Sequence, residues 1–392
     1  MGRPPLPVGT CGNITTRTIA PGVVQASTWV RDTDGKRRRV ERRGKTKTAA
    51  TNALKAALVD RTPPPDPQSI TPETRVRDLG KRWLDSRAAD ERVRKQSVEA
   101  YETILAGLVY PAIGGLQLRE IATSRIQDLY DTLGSSKATR AATPLRMMFD
   151  VAVRCDIWPA NPARQAKPPA KGHVQGRVLT PAEMLDLRQK IGRWASGDLS
   201  DSRRSYKVLG AARRALPDVF DLAVATGCRP SEILAFRFDD ADLSATPAKL
   251  TVTGTLIRLR SVGTTRQAFT KTDAGHRELT LPAFGERVVR DRFKTRRLGV
   301  LDNLIFPSDD DHYLPVAALQ REWRHLREAA GYPDVEFRAI RRSVATLIAN
   351  GAGIDAAAAQ LGHAGTAVTE KHYVEHRAAV APDLTSLLQA LA

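Results

Sequence analysis

The sequence predicts a multi-domain α+β protein in three parts: a small basic β-sheet with a helix, a helical bundle, and a mainly α domain with a small antiparallel sheet. Three observations predict this. The chain has 392 residues with 42% hydrophobic content, enough for more than one core. Two polar, Pro-rich seams, "RTPPPDPQSITPET" and "NPARQAKPPAKGHVQGR", are too stiff and too polar to join the cores on either side. Runs with strand chemistry occur in the first and third parts, whereas helical periodicity fills the second. The parts fall at residues 1–62, 73–166 and 179–392, with linkers at 63–72 and 167–178.

The first part carries much of the charge. Residues 1–61 hold 13 Lys and Arg against 4 Asp and Glu, half of the net +18 of the whole chain. "VVQASTWVRDTDGKRRRVERRG" reads as a strand, an Asp34-Gly35 turn and a second strand, followed by a helix from about Thr48 to Val59. Arg37, Arg39, Arg43 and Lys45 cannot pack inward, so the sheet presents a cationic face of a form suited to a nucleic-acid groove. A charge-guarded, solvated edge strand is the competing reading.

The second part begins near Thr71, and its four helical patterns place Trp83, Leu84, Tyr101, Ile104, Leu105, Met148 and Val151 in a bundle core. Lys95, Lys137, Arg140 and Arg146 are its candidates for phosphate-backbone contact.

The third part opens at "LTPAEMLDL", where Thr180, Pro181 and Glu183 form a helix-start signature. Four features follow. In "ATGCRPSEILAF", Gly227 ends one helix, Pro230 opens another, and Glu232 lies three residues beyond Arg229, where it can hold the guanidinium. "KLTVTGTLIRLRSVGTTRQAFTKTDAGHRELTLP" has the β-branched content of strands, with Lys271 beside the "TDAG" turn. "EFRAIRRSVATLIAN" predicts a helix with Ile340, Val344, Leu347 and Ile348 as its buried stripe. Arg341 lies roughly 75° from the middle of that stripe, Arg338 roughly 135°, and Arg342 almost opposite. Arg338 and Arg341 thus share a face at the border of the core, either as a solvated edge or as an anion site at a helix start. Finally, in "LGHAGTAVTEKHYVEH", Gly362 ends a helix, His363 follows, and Tyr373 lies ten residues later.

Composition narrows the classes further. A net charge of +18 and a pI near 10.2 point to a polyanionic partner, nucleic acid rather than membrane. Cys11, Cys155 and Cys228 are too scattered for a disulfide framework or a zinc site, so a reducing compartment and no metal are expected. The N-terminus "MGRPPLPVGT" lacks an apolar signal core, and no apolar run approaches membrane-spanning length. The expected location is the cytoplasm.

T-G-C-R-P-S-E, a lysine at a strand turn, R-x-x-R at a helix start, and L-G-H with a tyrosine ten residues on together resemble the catalytic boxes of tyrosine recombinases of the phage-integrase type. The basic first part is similar to their arm-type DNA-binding domain and the second to their core-binding domain. The resemblance implies cleavage and rejoining of DNA without a cofactor, through a 3′-phosphotyrosyl bond to Tyr373. Arg229, Arg338 and Arg341 are then expected on the scissile phosphate, with Lys271 as general acid. His363 would bond the phosphate or a proton in transit, or cap its turn. Arg338 departs from the family, which commonly places a histidine there; an arginine cannot act as a base. The tyrosine proton then leaves by water or by His372.

The resemblance further implies a homotetramer on attachment-site DNA of core and arm type, in a bacterial host's cytoplasm, with a DNA-bending host factor and a directionality factor as accessory partners. The helical tail "APDLTSLLQALA" has an apolar face for docking in cis or in trans. A chromosome-dimer resolvase, a transposon recombinase and a non-catalytic DNA-binding regulator are the rival readings.

Overall fold

The computed structural model describes residues 6–32, 35–59, 69–170, 172, 176–199, 210–268, 275–363 and 365–366. In the first part, β1 (Thr15–Ala20), β2 (Val23–Arg31) and β3 (Arg37–Gly44) form an antiparallel sheet in that order, followed by α1 (Lys47–Val59). Alternation along β2 sends Val24, Ala26 and Val30 toward Ala50 and Leu54 of α1, with Val40 of β3 completing a small core. Helix and sheet approach closely at Gly44, where a Cβ would lie 2.5 Å from the Ala50 nitrogen. The sequence reading missed β1 because all six of its residues are exposed, leaving no alternation to detect.

In the second part, α2 (Val76–Ala89) and α3 (Lys95–Ile104) are followed by a π turn into α4 (Tyr110–Ile113). Next come α5 (Thr123–Arg154) and α6 (Pro162–Gln165). Two helical halves of α5 meet at Gly134, whose φ of +70° a side chain rarely adopts. Trp83, Leu105 and Met148 are buried, whereas Leu84, Tyr101, Ile104 and Val151 pack half-buried around them.

The third part is built around α8 (Ala211–Thr226), whose Leu216, Val219, Phe220 and Leu222 lie in the largest core. It follows α7 (Pro181–Ser196), which Thr180 and Glu183 cap reciprocally. After α9 (Pro230–Ile233), β4 (Ala241–Asp242), β5 (Lys249–Val252) and β8 (Arg277–Thr280) make one antiparallel sheet. A separate hairpin pairs β6 (Gly254–Leu259) with β7 (Gly263–Ala268). Just past β6, Arg260 reaches α3, donating to Glu102 at 2.6 Å and to Thr103. The chain then forms α10 (Ala283–Lys294), α11 (Val316–Ala329), α12 (Phe337–Ala352) and α13 (Ile354–Leu361). Trp323 of α11 stacks on Phe220, meets Phe337 edge-on at 4.9 Å, and donates to the Val335 carbonyl at 2.9 Å. These contacts fix the entry into α12.

Two details of α12 differ from the helical-wheel expectation. Leu347 is 67% exposed, because the buried side is carried by Ile340, Ser343, Val344 and Ala345 and the last turns run past the core. Arg342 is not a free-standing surface charge. It is half-buried and donates to the Arg177 carbonyl at 3.0 Å, over Gly176, whose missing Cβ leaves room for the guanidinium. Beside it, Leu179 N–H donates to Ser343 Oγ at 2.7 Å, so the end of the second seam is stitched to α12. Among the described residues no helix is long and apolar enough to cross a membrane.

Candidate active site

The site forms where the ends of α8, α12 and α13 meet. Thr226 closes α8, and Gly227 takes φ +69° as its left-handed cap. A Cβ at Gly227 would also lie 2.9 Å from Leu361 and 3.3 Å from Val344, so glycine lets the three elements come together. Thr226 Oγ1 accepts from Cys228 N–H at 3.1 Å, turning the chain sharply toward Arg229, which precedes α9.

Glu232 organises the charges. It is 2% exposed and faces three guanidinium groups: Arg229 at 2.6 Å, Arg277 at 3.2 Å and Arg341 at 3.9 Å. Burial alone would raise its carboxyl, but Arg277 and then Arg229 hold it below the usual carboxylate range. Glu232 is therefore ionised at neutral pH. Its Oε2 also accepts the Arg229 backbone N–H at 3.0 Å, so Arg229 is gripped by main chain and side chain together.

Arg341 is 3% exposed, and its two terminal nitrogens donate to the Gly227 carbonyl at 2.8 Å and the Leu361 carbonyl at 2.9 Å. The second nitrogen also lies 2.9 Å from His363 Nε2. Arginine only donates, so His363 Nε2 accepts and its ring proton sits on Nδ1. Burial, with Arg341, Arg229 and Arg277 nearby, pushes the His363 imidazole down to about 4. It is neutral at pH 7.

Arg338, one turn before Arg341, is exposed and lines a groove with Arg229 and Arg341. Arg324 and Arg327 of α11 line the same groove, and neither was anticipated, because cations on an amphipathic helix read as ordinary solvated charge. Arg277 was missed too. It lies 45 residues from Glu232 at the start of an unremarkable strand, and pairing over that distance leaves no local signal. Lys271, His372, Tyr373 and the tail helix lie outside the described residues. Among the described residues, no group of His, Cys, Asp and Glu side chains could hold a metal.

Of the candidate DNA contacts, Arg37, Arg39 and Arg43 alternate along the outer face of β3, next to exposed Trp29. Arg37 lies 5.4 Å from the Trp29 ring centre, and Arg39 pairs with Glu41 at 2.8 Å. Lys45, Lys95, Lys137 and Arg140 are exposed or partly exposed. Arg146 differs: it is half-buried and donates to the Ala163 carbonyl at 3.1 Å, tying α5 to α6.

Residues 202–379, which span this cluster of boxes, match the model of the phage integrase family. Over those residues the chain carries a phage integrase domain, the domain of tyrosine-type site-specific DNA recombinases. Relatives agree with the assignment. An integrase of Streptomyces ambofaciens is 27% identical over 356 residues, covering 87% of this chain and 86% of its own. A prophage phiRv2 integrase of Mycobacterium tuberculosis is 26% identical over 308 residues, covering 75% of this chain and 73% of its own.

Family and fold also agree. A Tn1549 transposon integrase bound to circular intermediate DNA superposes with a TM-score of 0.63 at 16% identity, over 81% of this chain and 99% of the other. A lambda integrase tetramer on a Holliday junction gives 0.54 at 16% identity, over 91% and 94%.

Proposed function

We propose that this recombinase integrates and excises the DNA of a phage or other mobile element through a 3′-phosphotyrosyl intermediate, with Arg229, Arg341 and His363 at the scissile phosphate. The observation that carries this reading is their convergence at one rigid junction. Two guanidinium groups far apart in sequence, Arg229 before α9 and Arg341 of α12, face the buried Glu232, and a neutral histidine bonds one of them at the wall of a basic groove.

Attack by the Tyr373 phenolic oxygen forms an O–P bond while the bond to the 5′ oxygen breaks. Negative charge gathers on the non-bridging oxygens, and guanidinium forks match that geometry. Arg341 arrives already oriented by two carbonyls, so little reorganisation is needed when the phosphate enters. Lys271 gives its proton to the departing 5′ oxygen, and the tyrosine proton leaves to water or His372. The phosphotyrosyl bond conserves the energy of the broken diester, so reversal by a 5′ hydroxyl rejoins the strand without a nucleotide. Arg338 is permanently charged, so in this scheme it binds phosphate and never serves as the base.

A phosphate in the groove would place negative charge beside these cations and raise His363 from its depressed value toward a proton-donating state. The outer face of β3 is suited to arm-type DNA and the second part to core-type DNA. Four copies would act together on two duplexes, as the tetrameric lambda integrase on a Holliday junction illustrates. The bacterial cytoplasm and the two accessory factors complete the scheme. The test is a nicked duplex carrying the element's own attachment junction. A covalent protein–DNA adduct is expected from the native chain and not from Tyr373→Phe; an adduct that survives in the variant overturns the mechanism.

A further inference from the structure

We infer that Arg277 is a positioning residue that locks the Glu232 carboxylate and the end of α13 into one unit, so that Arg229 and His363 are presented together. The inference rests on the recombinase reading above and assigns a role to a residue outside its catalytic set.

Arg277 is 9% exposed and uses every edge of its guanidinium. Its Nε donates to the Gln360 carbonyl at 2.9 Å and its Nη1 to the Gly275 carbonyl at 3.2 Å. The Nη2 group reaches both Glu232 Oε2 and Cys228 Sγ at 3.2 Å. These partners belong to three different places: the last turn of α13, the stretch that follows Lys271, and the Gly227–Arg229 junction with α9. A structural ion pair needs one acceptor, whereas this arrangement joins three separate segments around the site.

The division of labour at Glu232 is specific. Arg277 and the Arg229 backbone N–H share Oε2, leaving Oε1 to accept from Arg229 Nη1 at 2.6 Å. At α13, whose final carbonyls have no helical partner, Arg277 takes Gln360 and Arg341 takes the adjacent Leu361. His363 follows two residues later, so its ring position depends on both grips. A planar fork can satisfy these directions simultaneously; an ammonium, a single point of charge, cannot.

Charge supports the geometry. Among the neighbours that lower the Glu232 carboxyl, Arg277 comes first, and it also helps to depress His363. Without it, both groups move upward and hold their protons to higher pH. A protonated Glu232 no longer secures Arg229, so cleavage should fail at the acid end and recover as pH rises.

The experiment compares full-length native protein, Arg277→Met and Arg277→Lys on the nicked junction duplex, measuring single-turnover adduct formation against pH and duplex affinity separately. For Arg277→Met the expected result is a rate about 100-fold lower at neutral pH, as misplacement of a reacting group produces. Affinity should be unchanged and the acid limb displaced to higher pH. Arg277→Lys should restore the acid limb but not the full rate. Native rate and profile in Arg277→Met overturn the inference, as does slowing with an unmoved acid limb in both variants, which is the mark of packing alone. Should Arg277→Met not fold, the uncharged but hydrogen-bonding Arg277→Gln takes its place: an acid limb displaced to higher pH supports the inference, and an unmoved limb overturns it. Failure of the native protein to form an adduct defeats the recombinase reading and takes this inference with it.

Discussion

The outer face of β3 and the Glu232 junction both gather arginines, yet they treat them in opposite ways. On β3, Arg37, Arg39 and Arg43 are exposed, and their neighbours on that face include an indole ring and a carboxylate in water. At the junction, Arg341 is buried and Arg277 largely so, and Arg229 is held by a carboxylate that is itself buried. The difference is between charge as field and charge as instrument. Exposed cations contribute through counterion release and tolerate imprecise placement, whereas buried ones must be directed at every atom or the fold loses stability.

The sharpest way to break this contrast is Arg341→Ala. It removes the guanidinium proposed to meet the phosphate and leaves the Gly227 and Leu361 carbonyls and His363 Nε2 without their donor. Strand cleavage is expected to fall by at least about 100-fold. Thermal unfolding should show a loss of roughly 3 kcal/mol, the usual cost of breaking a buried ion pair. A variant with native melting behaviour would mean that Arg341 is not the structural keystone its contacts imply.

The converse is the triple change Arg37→Ala, Arg39→Ala, Arg43→Ala. Affinity for arm-type duplex should weaken at low salt, and the slope of log K against log salt should become shallower by about 0.9 for each phosphate no longer neutralised. The adduct-forming rate on a core-type duplex at saturation should not change. If that rate falls with the affinity, the two regions are not separable.

A smaller effect tests the junction in a different way. The His363 imidazole is depressed to about 4 in the folded chain against 6.5 ordinarily, so the unfolded state takes up the proton first as pH falls. The stability this contributes is fully present above about pH 6.5 and is lost on descending toward pH 4. His363→Asn should flatten that part of the stability profile, measured by urea unfolding across the window. An unchanged slope would place the acid sensitivity elsewhere.

The legible parts of the molecule were those with local causes. Gly227, Pro230 and the three-residue spacing of Arg229 and Glu232 specify a helix stop, a helix start and an ion pair within a single stretch, and all three are present. The small basic sheet followed by a helix could be read from a turn and a periodicity change, but β1 could not, because neither of its faces is buried. Wheel geometry separated Arg341 from Arg338 but assumed a core reaching the end of α12, so it misplaced Leu347. It also sent Arg342 to solvent, since the wheel carries no information about Gly176 folding back onto the helix. Arg277 illustrates the limit best: its four acceptors come from residues 228, 232, 275 and 360, and only the fold brings them together.

The stitched ends of the second seam turn it into a ruler. Gln127 holds both the N–H and the carbonyl of Lys167 at 3.0 Å, and Arg342 holds the other end at Arg177. The ten steps from Lys167 to Arg177 can span no more than roughly 35 Å when fully extended. That is close to one turn of duplex, about 34 Å. Were the second and third parts both to face DNA, as proposed, such a tether would let them address only neighbouring stretches of one helix, and chain length would limit target length before any base is read.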